Sequence, residues 1–215
     1  MGAALDRDTI EKAYDRWAPV YDRVFGKVFE RGRIAAIKAT EDHIGAKSGR
    51  ILEVGVGTGI SLLSYHRKNH LVGIDISVGM LRKARKRVAE HNLTNVEALA
   101  VMDAKHLALP SASFDAVVAQ YVITAVPDPE ATLDEFVRVL KPHGEIILVN
   151  HLGAERGARR AFERGFSPLA RRLGWSPEFP FARLTGWAKR NGIRLIERRP
   201  MPPLGHFSLI RFGKG

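Results

Sequence analysis

The segment ILEVGVGTG, Ile51 to Gly59, constrains the fold of this chain more than any other stretch of its 215 residues. Ile51, Leu52 and Val54 form a short apolar run suited to a central buried strand. Gly55, Gly57 and Gly59 then let the backbone turn tightly and approach a ligand closely. A helix is predicted over 58–67, with its N-terminal N–H groups aimed at the loop. The glycine spacing is GxGxG. The third glycine of a dinucleotide fingerprint would fall at position 60, which is Ile60.

Glu53, two residues before the first glycine, argues against a pyrophosphate. A carboxylate at the loop mouth repels phosphates and accepts hydrogen bonds from an ammonium group. A second apolar run, LVGID, ends in Asp75 twenty residues after Gly55, a placement that suits a two-pronged grip on a ribose diol. Ribose plus ammonium, without phosphate, points to S-adenosylmethionine. ILEVGVGTG, then GIDIS, then MDAKHLALPSASFDAVVA together resemble the class I S-adenosylmethionine-dependent methyltransferases, over roughly Arg50 to Asn150.

That resemblance implies an α/β fold: a Rossmann-like doubly wound sheet, mostly parallel with an antiparallel edge strand, plus N-terminal lid helices. It also implies a cofactor pocket. Glu53, Gly55, Gly57, Thr58 and Gly59 line the glycine loop, Asp75 holds the ribose, and Ile76 and Met80 cover the adenine. Asp103 with Ala104 meets the adenine amino edge, and Gln120 closes the pocket after the fourth strand. Met80 also suits a core position, and Asp103 a turn. The product would be S-adenosylhomocysteine.

Periodicity alternates in the way such a sheet requires. Strands are predicted at 51–54, 70–74, 95–101, 114–119 and 144–150, with helices at 78–91 and 129–139 between them. Residues 153–173 read as helical, LTGWAKRNG ends a helix at Gly192, and two strands follow at about 193–199 and 206–212. The whole is expected to be one domain: residues 1–45 an amphipathic helical lid interrupted near Pro19, 50–150 the cofactor core, and 151–215 a basic part facing acceptor and membrane.

Composition narrows the classes further. The chain has no cysteine, which removes disulfides, thiolate metal sites and a cysteine nucleophile; no metal is expected. No window holds 18 uninterrupted apolar residues, so a cytoplasmic, non-spanning protein is expected. Of the net charge of +11, +10 falls in residues 151–215, where 14 Lys and Arg face 4 Asp and Glu. Arg159, Arg160, Arg171 and Arg172, interleaved with Phe162, Phe166, Leu169 and Trp175, suit contact with an anionic bilayer, or else form a solvated basic helix.

The acceptor is approached through YDRWAPVYD, Tyr14 to Asp22, which resembles the lid of small-molecule methyltransferases. By that likeness Tyr14 and Tyr21 lie over the cofactor, and Trp17 meets substrate or membrane unless it is core. Adenine amino methylases carry a D/N-P-P-Y turn where this chain has Gln120, Tyr121, Val122 and Ile123, and no RNA-binding module is recognisable; no nucleic acid partner is expected. The end segments DTIEKAYDRWAPVYDRVFGKVFERGR and RPMPPLGHFSLIRF resemble the Rhodobacter-type bacterial phosphatidylethanolamine N-methyltransferases. This implies a phospholipid substrate met by a monomer bound peripherally at the inner face of the cytoplasmic membrane. The alternative is quinone-ring C-methylation, as in ubiquinone and menaquinone biosynthesis, or another small-molecule transfer. Tyr121 and His151, both just past strand ends, form the expected catalytic pair for orienting the amine and removing its proton; His151 also suits a loop or phosphate contact.

Overall fold

Seven strands form one sheet in the computed structural model, which describes residues 29–152, 179–201 and 207–215. In chain order the elements are α1 (Glu30–Ile44), β1 (Arg50–Val54), a 3-10 turn (Ser61–Ser64), β2 (His70–Asp75), α2 (Val78–Glu90) and β3 (Val96–Val101). They continue with β4 (Phe114–Gln120), α3 (Pro129–Val139), β5 (Leu140–His151), α4 (Phe181–Arg190), β6 (Arg194–Met201) and β7 (Phe207–Gly213). The strand order is β3-β2-β1-β4-β5-β7-β6. The first five strands pair in parallel, and β7 runs antiparallel to both β5 and β6. The doubly wound sheet with an antiparallel edge hairpin is thus the one predicted.

Both faces are covered, which is why the central strands read as apolar runs rather than alternations. On one face, Ala36 and Ile37 of α1 and Leu81 of α2 pack with Ile51, Leu71, Val118 and Val149. On the other, Leu133 and Phe136 of α3 and Leu184 and Trp187 of α4 pack with Leu52, Val117, Leu148 and Phe212. Helix starts follow local chemistry: Ser77 Oγ accepts from Met80 N–H at 3.0 Å, and Asp128 Oδ1 accepts from Ala131 N–H at 3.2 Å with Pro129 beginning α3.

Two elements depart from prediction. The helix expected at 58–67 is a single 3-10 turn over Ser61–Ser64, because Gly57 and Gly59 hold φ of +55° and +74° and Tyr65 returns to extended backbone. Its loop N–H groups are also used internally: Gly59 N–H donates to the Val56 carbonyl at 2.9 Å. The fifth strand starts at Leu140, not 144, since Leu140 already pairs with Phe114 before a register shift restores Ala116 to Glu145. His143, at φ +64°, makes the kink. Residues 30–44, the end of the expected lid, form a helix packed on the sheet, and the predicted helix at 153–173 lies outside the described residues.

Candidate active site

The order β3-β2-β1-β4 reverses the winding direction between β1 and β4, and open α/β sheets bind ligands outside the carboxyl ends of the strands at that crevice. The loop after β1 lies there. Gly55, Gly57 and Gly59 all have positive φ, a region L side chains rarely adopt. A Cβ on Gly55 would lie 2.3 Å from Val122 Cγ2, whereas one on Gly57 would meet nothing nearer than the Gly55 carbonyl at 4.0 Å. The loop therefore packs against the segment after β4 at Gly55 and leaves open space at Gly57.

Asp75, at the end of β2, holds this loop in shape. Its Oδ2 accepts from Gly57 N–H at 2.8 Å and its Oδ1 from Ser77 N–H at 2.9 Å. Each carboxylate oxygen keeps acceptor capacity for a hydroxyl donor. Ile76 follows, half-buried, and Met80 is 1% exposed at the start of α2. Asp103 forms a turn, its Oδ1 accepting from Lys105 N–H at 3.0 Å, while Ala104 packs at the margin of the second-face core. Thr58 is buried, and its carbonyl accepts from Arg87.

Glu53 anchors the polar centre. It is buried at the penultimate residue of β1, where Ser61 Oγ donates to Oε1 at 2.6 Å and Gln120 Nε2 donates to the same oxygen at 3.3 Å. Among the described residues Oε2 has no hydrogen-bond partner, and neither does the buried Tyr65 hydroxyl, which still pulls the Glu53 pKa down. Burial pushes the Glu53 carboxyl up to about 7, against the pull of Ser61, Tyr65 and the Arg33 charge. Gln120 thus does meet the glycine-loop acid. Ser61, Tyr65 and Arg33 were not legible as site residues, because nothing in their spacing marks them until the 3-10 turn folds back on β1 and α1 packs on the sheet.

Tyr121 follows β4 at φ +64°, uncommon for a bulky residue and costly enough to be held only by its surroundings. Its hydroxyl donates to the Phe29 carbonyl at 3.2 Å, and its ring stacks on Phe29 with centroids 4.0 Å apart. Burial raises the phenol well above its ordinary range, with Arg33 opposing. His151 ends β5 and meets Phe207 edge-on at 6.2 Å, and Tyr121 meets the same Phe207 ring at 5.3 Å. The expected pair thus flanks Phe207. Phe29 and Phe207, which sequence reasoning passed over, complete this aromatic group. Tyr14, Trp17, Tyr21, Arg159, Arg160, Arg171 and Arg172 lie outside the described residues.

The structure fits an adenosyl sulfonium cofactor at two points: the space beside Gly57 and the Glu53 carboxylate, whose unpartnered Oε2 matches an ammonium donor. Sheet order, glycine loop and acidic strand ends together define a class I S-adenosylmethionine-dependent methyltransferase, and residues 52–148 match the family profile described as a methyltransferase domain. The chain belongs to the family of the phosphatidylethanolamine N-methyltransferase of Cereibacter sphaeroides, with which it is 39% identical over 97% of its own length and 98% of that protein's. The ubiquinone/menaquinone biosynthesis C-methyltransferase UbiE of Syntrophotalea carbinolica is 33% identical over 63% of this chain and 58% of that one. Among solved structures, the [4+2]-cyclase SpnF superposes with a TM-score of 0.80 at 17% identity, over 100% of this chain and 98% of that one. That likeness concerns the fold alone.

Proposed function

We propose that the protein transfers methyl groups from S-adenosylmethionine to the amino nitrogen of phosphatidylethanolamine and its mono- and dimethyl derivatives, towards phosphatidylcholine, at a membrane surface. The observation that carries this reading is the end-to-end match to the Cereibacter sphaeroides enzyme, which takes in both segments outside the cofactor core. The quinone C-methyltransferase match reaches only 63% of the chain.

When bound, the cofactor supplies an electrophilic methyl group on a sulfonium. Glu53 would then meet its ammonium and Asp75 its ribose, while Ile76, Met80, Asp103 and Ala104 would border the base. Tyr121, whose hydroxyl is held protonated and donates to Phe29, orients rather than abstracts. His151 is the group assigned to take the proton that the nitrogen releases after each of the first two transfers; the third leaves a quaternary nitrogen with no proton to remove. Aromatic faces suit a methylated cation that has lost its N–H donors.

The acceptor lies in a bilayer, and among the described residues no helix is long and apolar enough to cross one. Contact is assigned to the basic stretch around Arg159, Arg160, Arg171 and Arg172 and to Trp17 of the lid, on the cytoplasmic face of the membrane. Incubation with labelled S-adenosylmethionine and vesicles of phosphatidylethanolamine, its two partly methylated derivatives or a demethylated quinone tests the reading. Label in the three phospholipids is expected; label in the quinone alone overturns it.

A further inference from the structure

Asn150 is 1% exposed, and among the described residues neither its Oδ1 nor its Nδ2 has a hydrogen-bond partner. An orphaned buried amide is costly, and a strand position with no polar task would favour an aliphatic side chain. The neighbouring polar groups at the carboxyl edge are engaged: Asp75 with Gly57 and Ser77, Glu53 with Ser61 and Gln120, Tyr121 with Phe29. Asn150 alone among these has both halves unused.

Its place in the sheet gives the amide a direction. It lies two residues beyond Leu148 and four beyond Ile146, on the second face, at the carboxyl end of β5. Gln120 pairs with Val149, and Tyr121 N–H donates to the Val149 carbonyl, so Asn150 stands one step past the last β4 pair, level with the turn that carries Val122. Val122 is the residue that bounds the glycine loop at Gly55. Two strand spacings separate β5 from β1, so the Asn150 backbone is about 10 Å from that loop across the sheet.

We propose that Asn150 holds the acceptor amine: its Oδ1 accepts an N–H from the nitrogen to be methylated and thereby sets the direction of the lone pair. This rests on the phosphatidylethanolamine reading above. In each transfer the nitrogen lone pair forms the new N–C bond and the C–S pair stays on sulfur. After the first and second transfers the ammonium gives its proton to His151, and through it to solvent, before the next. A neutral primary amine has two N–H groups, the monomethyl amine one, and the dimethyl amine none. Oδ1 therefore serves the first two transfers and has nothing to accept from in the third.

The test is Asn150→Leu, with initial rates measured separately on vesicles of phosphatidylethanolamine, its monomethyl and its dimethyl derivative, beside thermal melts of the cofactor-free protein. The ratio of kcat/KM for phosphatidylethanolamine to that for the dimethyl lipid is expected to fall about tenfold, with the melting temperature held or raised because the orphaned amide is gone. Asn150→Ala must show the same change of ratio, and stands in should the leucine variant not fold. Equal loss on all three lipids, or a lower melting temperature with the ratio unmoved, overturns the assignment and makes Asn150 a structural amide around buried water. Wild-type protein that labels none of the three lipids overturns the acceptor reading, and Asn150 falls with it. Wild-type labelling of all three with an unmoved ratio overturns Asn150 alone.

Discussion

Tyr121 is tied twice to Phe29, by its hydroxyl on the Phe29 carbonyl at 3.2 Å and by ring stacking at 4.0 Å. The left-handed turn after β4 is thereby fastened to the residue that opens α1, and Gly32 lies so close that a Cβ there would fall 2.2 Å from the Tyr121 hydroxyl oxygen. Phe29→Ala is expected to cost about 3 kcal/mol of stability, by loss of a buried ring. A chain beginning at Phe29 keeps that fastening and is expected to retain the sheet and lose methyl transfer, if residues 1–28 form the lid. Melting temperature and turnover measured on both separate scaffold from lid; retained transfer in the shortened chain would refute the lid.

Glu53→Gln reads the buried carboxyl directly. The folded carboxyl titrates near 7, against 4.5 when unperturbed, so between those values the unfolded state has released a proton that the native state keeps. Stability therefore falls as pH rises from 4.5 to 7. The charged carboxylate costs about 3 kcal/mol above that window. The glutamine variant is expected to melt at higher temperature than wild type at pH 8 and to gain nothing at pH 4, while binding cofactor more weakly. Calorimetry in buffers of different ionisation enthalpy should show proton release when wild type binds cofactor near pH 7.

His43 gives the opposite slope. Its Nδ1 lies 3.2 Å from Glu145 Oε1, and its pKa is raised by that contact, which outweighs burial. Glu145 is also gripped by Arg211, at 2.9 and 3.0 Å. The bridge contributes fully below the unfolded histidine value of 6.5 and is lost as pH rises through the higher folded value. His43→Gln should cost on the order of 1 kcal/mol at pH 6 and nearly nothing at pH 9. Equal cost at both would place the effect in packing.

Asp75→Ala removes the acceptor of the Gly57 and Ser77 N–H groups as well as the expected ribose contact. Cofactor affinity should fall by about 2–4 kcal/mol, with some loss of stability in the cofactor-free protein. Gly57→Ala separates the two effects. At φ +55° an alanine carries about 1–2 kcal/mol of backbone strain, while its methyl group enters the open side of the loop. Affinity lost beyond that strain measures the ligand space.

Charge reversal of Arg159, Arg160, Arg171 and Arg172 to Glu is expected to abolish sedimentation with anionic vesicles and leave S-adenosylmethionine affinity intact. Each cation near such a surface contributes about 1 kcal/mol, screened over a Debye length of about 10 Å at 0.1 M salt. Undiminished sedimentation of the variant would mark that stretch as a solvated face.

The sheet was legible because its central strands are buried on both sides and so write apolar runs, as at 71–74 and 116–119. The ligand acids Glu53 and Asp75 stood out because they interrupt or end such runs. What the glycine loop does next was not legible. Three residues at positive φ end helical continuity whatever the apolar pattern of Leu62 and Leu63, and only the resulting turn delivers Ser61 and Tyr65 to Glu53. Asn150 was missed for a related reason. On a strand it counts as one polar residue among apolar ones, and its lack of partners is a property of the packed interior.

The threading of β7 between β5 and β6 sets an order of assembly. β6 precedes β7 in the chain, yet among the described residues pairs with no other strand, so it has no place in the sheet until β7 is laid against β5. The pair must dock as a unit, and with it Arg211 reaches Glu145 and Phe207 reaches Tyr121. Completion of the aromatic group at the active site thus depends on the docking of this hairpin. Native-state hydrogen exchange should show β6 and β7 opening together, ahead of the parallel strands.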